Sequence, residues 1–130
     1  MSSRSLDDLT QQTRAKAQKM MLLAGFVGLD LLVTCTRRTR GEQADLYEQG
    51  RTKPGKIVTW AKPGESPHED GRALDVVPLR GGVCVWGTVG EDLLLWQKVG
   101  EVGEAAGLAW GGRWPGKKRD FPHFQNQSKG

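Results

Sequence analysis

Ser66-Pro67-His68-Glu69-Asp70-Gly71-Arg72-Ala73-Leu74-Asp75-Val76-Val77-Pro78-Leu79 sets the frame for reading this 130-residue chain. The first half is polar turn sequence, and Ala73 to Leu79 is a strand, apolar throughout except at Asp75. A carboxylate buried in such a strand is costly unless a cation or strong donors compensate it. A salt bridge to Arg72 or a neighbouring arginine is one compensation, and a divalent metal is another. Gly71 lies between His68 and Asp75 and permits the sharp turn that would let a loop imidazole and a strand carboxylate converge.

Outward from this stretch, Gly81-Gly82 marks a turn and Val83 to Trp86 the partner strand of a hairpin. Leu95, Val99, Val102 and Ala106 step at helical spacing along a helix of Glu91 to Ala106. Leu108-Ala109-Trp110 and Phe121 to Gln125 complete a small antiparallel sheet. Upstream, Arg51 to Glu65 is rich in Lys, Pro and Gly and reads as a long surface loop with a strand-like centre at Ile57 to Trp60. Before it come a helix from Glu42 to Gln49, stopped at Gly50, and a strand from Leu31 to Cys35. Ser5 followed by Asp7 and Asp8 predicts the N-cap of a first helix. Its apolar stripe is Leu6, Leu9, Thr13, Ala17, Met20, Met21 and Ala24, and Gly25 ends it. The fold class is α+β, with helices against one side of a mainly antiparallel central sheet. Length and 37% hydrophobic content fit one domain spanning residues 1–130.

Lys and Arg number 19 against 15 Asp and Glu, so the formal charge is 19 − 15 = +4. This moderate, dispersed excess favours an anionic partner without choosing among nucleic acid, a membrane surface and a cell-wall polymer. Charge alone is a weak ground for nucleic-acid binding, which is not expected. Cys35 and Cys84 are too few for a disulfide framework or a thiolate zinc cluster and read as buried free thiols. The first 25 residues carry charges throughout, so neither a signal peptide nor a membrane span is expected there.

The second of the two histidines lies in Asp120-Phe121-Pro122-His123. Pro122 fixes the backbone before His123, and Phe121 and Phe124 anchor its flanks. Taken singly, His68 reads sooner as an exposed loop residue than as a ligand, and Asp120 as a surface acid in a basic segment. Together, two neutral imidazoles and one carboxylate make a three-ligand set with a fourth position open, the arrangement of catalytic zinc. The same donors also suit manganese, iron or cobalt.

The pattern Ser66, His68, Gly71, Ala73, Asp75, followed by Asp120 and His123, resembles the zinc peptidase family of D-Ala-D-Ala carboxypeptidases and peptidoglycan L-alanyl-D-glutamate endopeptidases, which includes phage endolysins. Arg38-Thr39 with Gln43, Leu46 and Tyr47, the segment Gly50 to Thr59, and Leu108 to Trp114 leading into Pro122 to Gln125 extend the likeness from about Leu31 to Gln125. The middle segment resembles the endopeptidase branch. The resemblance implies the hedgehog and D-Ala-D-Ala peptidase type of fold, zinc held by His68, Asp75 and His123, and Asp120 as general base. Arg38 matches an arginine that would stabilise the oxyanion or clamp a substrate carboxylate, although Arg37 and Arg40 crowd beside it. Ser66 would bond the substrate or a ligand, or else cap its own turn. Trp60, Trp110 and Trp114 would wall a peptide groove or pack in the core. Arg113 departs from the pattern, where an acidic residue is usual, and puts local substrate contacts in question.

The implied activity is a monomeric, lytic zinc endopeptidase acting on the peptidoglycan stem peptide, without stable membrane insertion. A chain of this kind is expected to be made in a host cytoplasm and to reach the wall through a membrane pore. A D-Ala-D-Ala carboxypeptidase and a non-catalytic zinc-containing module of the same fold are the alternatives.

Overall fold

A computed structural model describes residues 2–128. Ser5 does cap a helical turn, but only the 3-10 turn Leu6–Asp8. The chain then extends through Leu9, and Thr10 starts afresh as N-cap of α1, Gln11–Phe26. The expected single helix is therefore two elements. The break has a cause: the Thr10 N–H is taken by the Gly71 carbonyl at 3.0 Å, which ties this corner to the turn before the central strand. Thr13, Ala17, Met20 and Ala24 form the buried stripe of α1 as expected, and the helix runs through Gly25.

β1 (Asp30–Cys35) follows, then α2 (Arg40–Glu48). The start of α2 is set by a capping box in which the Thr39 hydroxyl accepts from the Glu42 N–H and the Glu42 carboxylate accepts from the Thr39 N–H. The loop centre at Ile57 to Trp60 forms no strand. β2 (Ala73–Arg80) and the short β3 (Val83–Cys84) make the hairpin, α3 spans Glu91–Ala105, and β4 (Ala109–Trp110) and β5 (His123–Gln125) close the sheet. The strand order is β1-β2-β5-β4, with β3 beside the far end of β2, and every pairing is antiparallel. The α+β class is thus observed. Cys84 is half-buried and Cys35 buried, both as free thiols.

Register decides which residues meet. Leu74 stands opposite Phe124, and Trp110 opposite Phe124 on its other side, so these three point to one face of the sheet. That face carries the core, where they pack with Met20 of α1 and Trp96 and Val99 of α3. One residue further on, the pleat turns the other way: Asp75 is paired with both His123 and Cys35, so all three emerge on the opposite face. Asp75 does interrupt a strand buried on both faces, since Ala73, Leu74, Val76 and Val77 are all fully buried. Its own side chain reaches the floor of a cleft.

Candidate active site

His68 reaches this face from the loop before β2. Its turn is held by Ser66, whose hydroxyl accepts from the His68 N–H at 3.3 Å, and by the Gly71 N–H bonding back to the His68 carbonyl at 3.3 Å. Gly71 has φ +70, the left-handed conformation that the sharp turn requires. His68 Nε2 then lies 3.3 Å from Asp75 Oδ1, and His123 Nδ1 lies 3.4 Å from the same oxygen. The two imidazoles meet nearly edge to face, 5.1 Å between centroids.

The orientation of each ring is fixed from behind. His68 Nδ1 is 2.7 Å from the Thr36 carbonyl, to which it must donate, so Nε2 is left to face Asp75. His123 Nε2 is 2.7 Å from Gln125 Oε1, with Nδ1 turned inward. Asp75 Oδ1 itself is buried and accepts no hydrogen bond among the described residues. An orphaned carboxylate oxygen between two inward-facing imidazole nitrogens is what a cation would satisfy. Donors about 2.0–2.1 Å from a tetrahedral ion stand about 3.3–3.4 Å apart, which matches these two separations, although among the described residues the set whose donor atoms all lie within 4.8 Å of one another is Cys35, His68 and Asp75, without His123.

Electrostatics agree. Burial alone would raise the Asp75 pKa, but the imidazoles of His123 and His68 hold it well below the usual carboxylate range. Burial alone would lower that of His68, yet the contacts with Asp75 and then Cys35 push it up to about 10. Without an ion, the pair is held as carboxylate and imidazolium.

Cys35 was missed as a site residue. Its Sγ is 3.7 Å from His68 Nδ1 and 3.4 Å from Arg38 Nη2, and donor atoms of Cys35, His68 and Asp75 all lie within 4.8 Å of one another, a grouping able to hold a metal. The thiol borders the His68 nitrogen already bonded to Thr36, whereas His123 faces Asp75 directly. Only the β1–β2 register, which sets Cys35 opposite Asp75, could have revealed it.

Arg38 joins the site. Its Nη2 lies 3.8 Å from Asp75 Oδ2, and its Nη1 donates to Gln43 Oε1 at 2.7 Å. Gln43 is fully buried and also donates to the Ala61 carbonyl at 2.8 Å and to Thr59 Oγ1 at 3.3 Å, so it couples the guanidinium to the cleft wall.

Asp120 lines the same open cleft, of about 680 Å³, with Arg38, Ser66, His68, Asp75 and His123. Although much of the residue is exposed, loss of hydration and then the Asp75 carboxylate raise its pKa, against the pull of His123, His68 and Arg38. Its backbone is set by Gly111, whose carbonyl accepts from the Asp120 N–H at 3.0 Å. A Cβ at Gly111 would fall 2.4 Å from the Asp120 carbonyl oxygen and 3.2 Å from His123 Cβ.

The tryptophans divide. Trp60 and Trp114 line the cleft, with Trp114 5.0 Å from the His123 ring, while Trp110 is buried in the core with its Nε1 donating to the Phe121 carbonyl. Arg113 lies outside the cleft lining and forks onto Glu104 of α3 at 2.9 and 3.1 Å, bracing the segment that leads to Asp120.

Residues 60–126 match the model of a family described as D-alanyl-D-alanine carboxypeptidase. The chain is 34% identical over 123 residues to the peptidoglycan L-alanyl-D-glutamate endopeptidase CwlK of Bacillus subtilis strain 168, covering 91% of this chain and 73% of that one.

The chain belongs to this peptidase family.

The peptidase is also 31% identical over 131 residues to the L-alanyl-D-glutamate peptidase of Listeria phage A118, spanning 98% of its own length but 42% of that relative. Its fold is that of the Serratia marcescens L-Ala D-Glu endopeptidase ChiX, with a TM-score of 0.71 at 20% identity, covering 98% of this chain and 89% of that one. The expected peptidase fold is therefore the observed one. The peptidase model begins at residue 60, so Arg38 lies outside it. Among the described residues, no helix is long and apolar enough to cross a membrane.

Proposed function

We propose that the chain is a zinc-dependent peptidoglycan endopeptidase that hydrolyses the bond between L-alanine and D-glutamate in the stem peptide, acting as a single catalytic domain. The observation that carries the chemistry is the convergence of His68 Nε2 and His123 Nδ1 on the buried Asp75 Oδ1 at the floor of an open cleft. The two endopeptidase relatives support the choice of bond.

In this reading His68, Asp75 and His123 hold the ion. When bound, it supplies Lewis acidity, polarising an amide carbonyl and making water acidic enough to act near neutral pH. Asp120 takes the proton from the attacking water at its carboxylate and returns it to the departing amine of D-glutamate. Its raised pKa suits the second half of that task. Arg38, held by Gln43 and directed beside Asp75, offers a planar fork to the developing oxyanion or to a substrate carboxylate. Ser66 caps the His68 turn and stands at the cleft wall, where it can also bond the peptide. Trp60 and Trp114 flank an extended substrate, and Lys117, Lys118 and Arg119 at the rim favour an acidic one.

A monomer that works on the wall from outside the membrane, after synthesis in a host cytoplasm and passage through a pore, is the setting that this activity needs. Digestion of purified muropeptides tests the reading. A new amino-terminal D-glutamate is expected, while release of free D-alanine would assign the chain to the carboxypeptidases instead.

A further inference from the structure

We propose that Gln125 is a positioning residue for the metal site: its side-chain carbonyl fixes the tautomer of His123 and so decides which ring nitrogen is presented to the ion. This rests on the metal-site reading above and adds a residue to it.

His123 and Gln125 are two positions apart on β5, so their side chains leave the same face of the sheet. Gln125 Oε1 lies 2.7 Å from His123 Nε2, on the side of the ring away from Asp75. A neutral imidazole carries one N–H, on either nitrogen, and an amide can present either its oxygen or its NH2. The Gln125 amide is held in one orientation in the structure. Its Nε2 donates to Gln127 Oε1 at 2.7 Å, which leaves Oε1 turned to the ring. The ring then donates from Nε2, and the nitrogen offered to an ion is Nδ1, which lies 3.4 Å from Asp75 Oδ1.

His68 is set the opposite way by a backbone group. The Thr36 carbonyl accepts from Nδ1 at 2.7 Å and leaves Nε2 facing Asp75. The two imidazoles therefore approach the site through different nitrogens, one dictated by main chain and the other by Gln125. Only the second can be removed by substitution. Partners of this kind behind a ligating imidazole typically change metal affinity by about 10–100-fold when lost.

The test compares the parent with Gln125→Met, which keeps length but has no comparable acceptor, and Gln125→Glu, which keeps the acceptor. Zinc affinity is read by competition with a chelator, and the His123 tautomer by 15N NMR of the zinc-loaded protein. Gln125→Met is expected to bind zinc about 10–100-fold more weakly and to move His123 toward the Nδ1–H form. Gln125→Glu is expected to hold parent affinity or exceed it and to retain the Nε2–H form. Parent affinity and an unchanged tautomer in Gln125→Met would overturn the proposal. An equal loss in both variants would overturn it too, because packing would then explain the effect. Should Gln125→Met fail to fold, Gln127→Met replaces it: freeing the amide to turn is expected to shift the tautomer in the same direction, and no shift counts against the proposal. Both readouts are taken without substrate. A protein that binds zinc in this way yet leaves muropeptides intact would sink the hydrolase reading and spare this one.

Discussion

His123 stands directly opposite Asp75 across the β2–β5 ladder, with Nδ1 3.4 Å from Oδ1. This single register brings a residue near the end of the chain onto a carboxylate near its middle, and His68 needs only the Gly71 turn to join them. A slip of one residue would turn His123 into the core and Phe124 out over the cleft. The site is therefore a consequence of strand pairing, and disturbing it should separate binding of the ion from the chemistry done beside it.

Asp120→Asn is the cleanest such separation. It lines the cleft without approaching Asp75 as the imidazoles do, so zinc content should stay at the parent level while muropeptide hydrolysis falls by about 10²–10⁴-fold. Elemental analysis alongside product chromatography checks both. Parent-level hydrolysis would remove Asp120 from the mechanism.

Gly111→Ala should damage the site from outside the cleft. The added methyl would sit 2.4 Å from the Asp120 carbonyl oxygen, a backbone atom that cannot move aside without carrying Asp120 and His123 with it. The variant is expected to lose both zinc affinity and activity, with melting temperature reduced. Unchanged zinc binding would mean that the segment yields more easily than its packing implies.

Gln43→Leu should loosen Arg38. The substitution removes the partner of Arg38 Nη1 and of the Ala61 carbonyl, and each such loss costs about 1–3 kcal/mol. A lower melting temperature and a reduced kcat/KM are expected, with zinc affinity little changed. Thermal scans, steady-state kinetics and chelator competition distinguish these effects.

The metal-free and metal-loaded proteins should respond to pH in opposite directions. In the absence of an ion, the His68 pKa is raised from its ordinary 6.5 to about 10 by Asp75 and Cys35, against the burial that opposes it. A raised folded-state pKa means that this stabilisation is complete below 6.5 and is lost as pH climbs toward 10. Asp75, whose pKa is lowered from 3.8, keeps its contribution above that value and loses it only in stronger acid. In chelator, the melting temperature should therefore fall between pH 6.5 and 9. With zinc in excess it should not fall over that window, because ligation requires deprotonated imidazoles and strengthens as protons leave. Parallel slopes with and without zinc would contradict this.

Much of the site was legible because the chemistry is carried by rare residue types at sharp spacings. Both histidines, a carboxylate inside an apolar strand and a glycine in the intervening turn suffice to suggest a metal site, and the structure brings them together. Most strand positions followed from apolar runs broken by Gly and Pro, but Ile57 to Trp60, bounded in the same way, forms none. What the chain did not disclose depends on long-range pairing. Cys35 enters the site only through its register with Asp75, and the first helix breaks at Leu9 because the Thr10 N–H is claimed by Gly71, some sixty positions away in sequence. The three tryptophans looked alike in sequence, yet the β4–β5 pairing buries Trp110 while loops leave Trp60 and Trp114 at the cleft.

Zinc stoichiometry and lytic rate, followed together on one sample as a chelator withdraws the ion and zinc is then restored, test the central claim most directly. One ion per chain, with turbidity clearance of cell-wall substrate lost in step with its removal and recovered on its return, is the predicted result. Full lytic activity in protein shown by elemental analysis to be free of metal would contradict it.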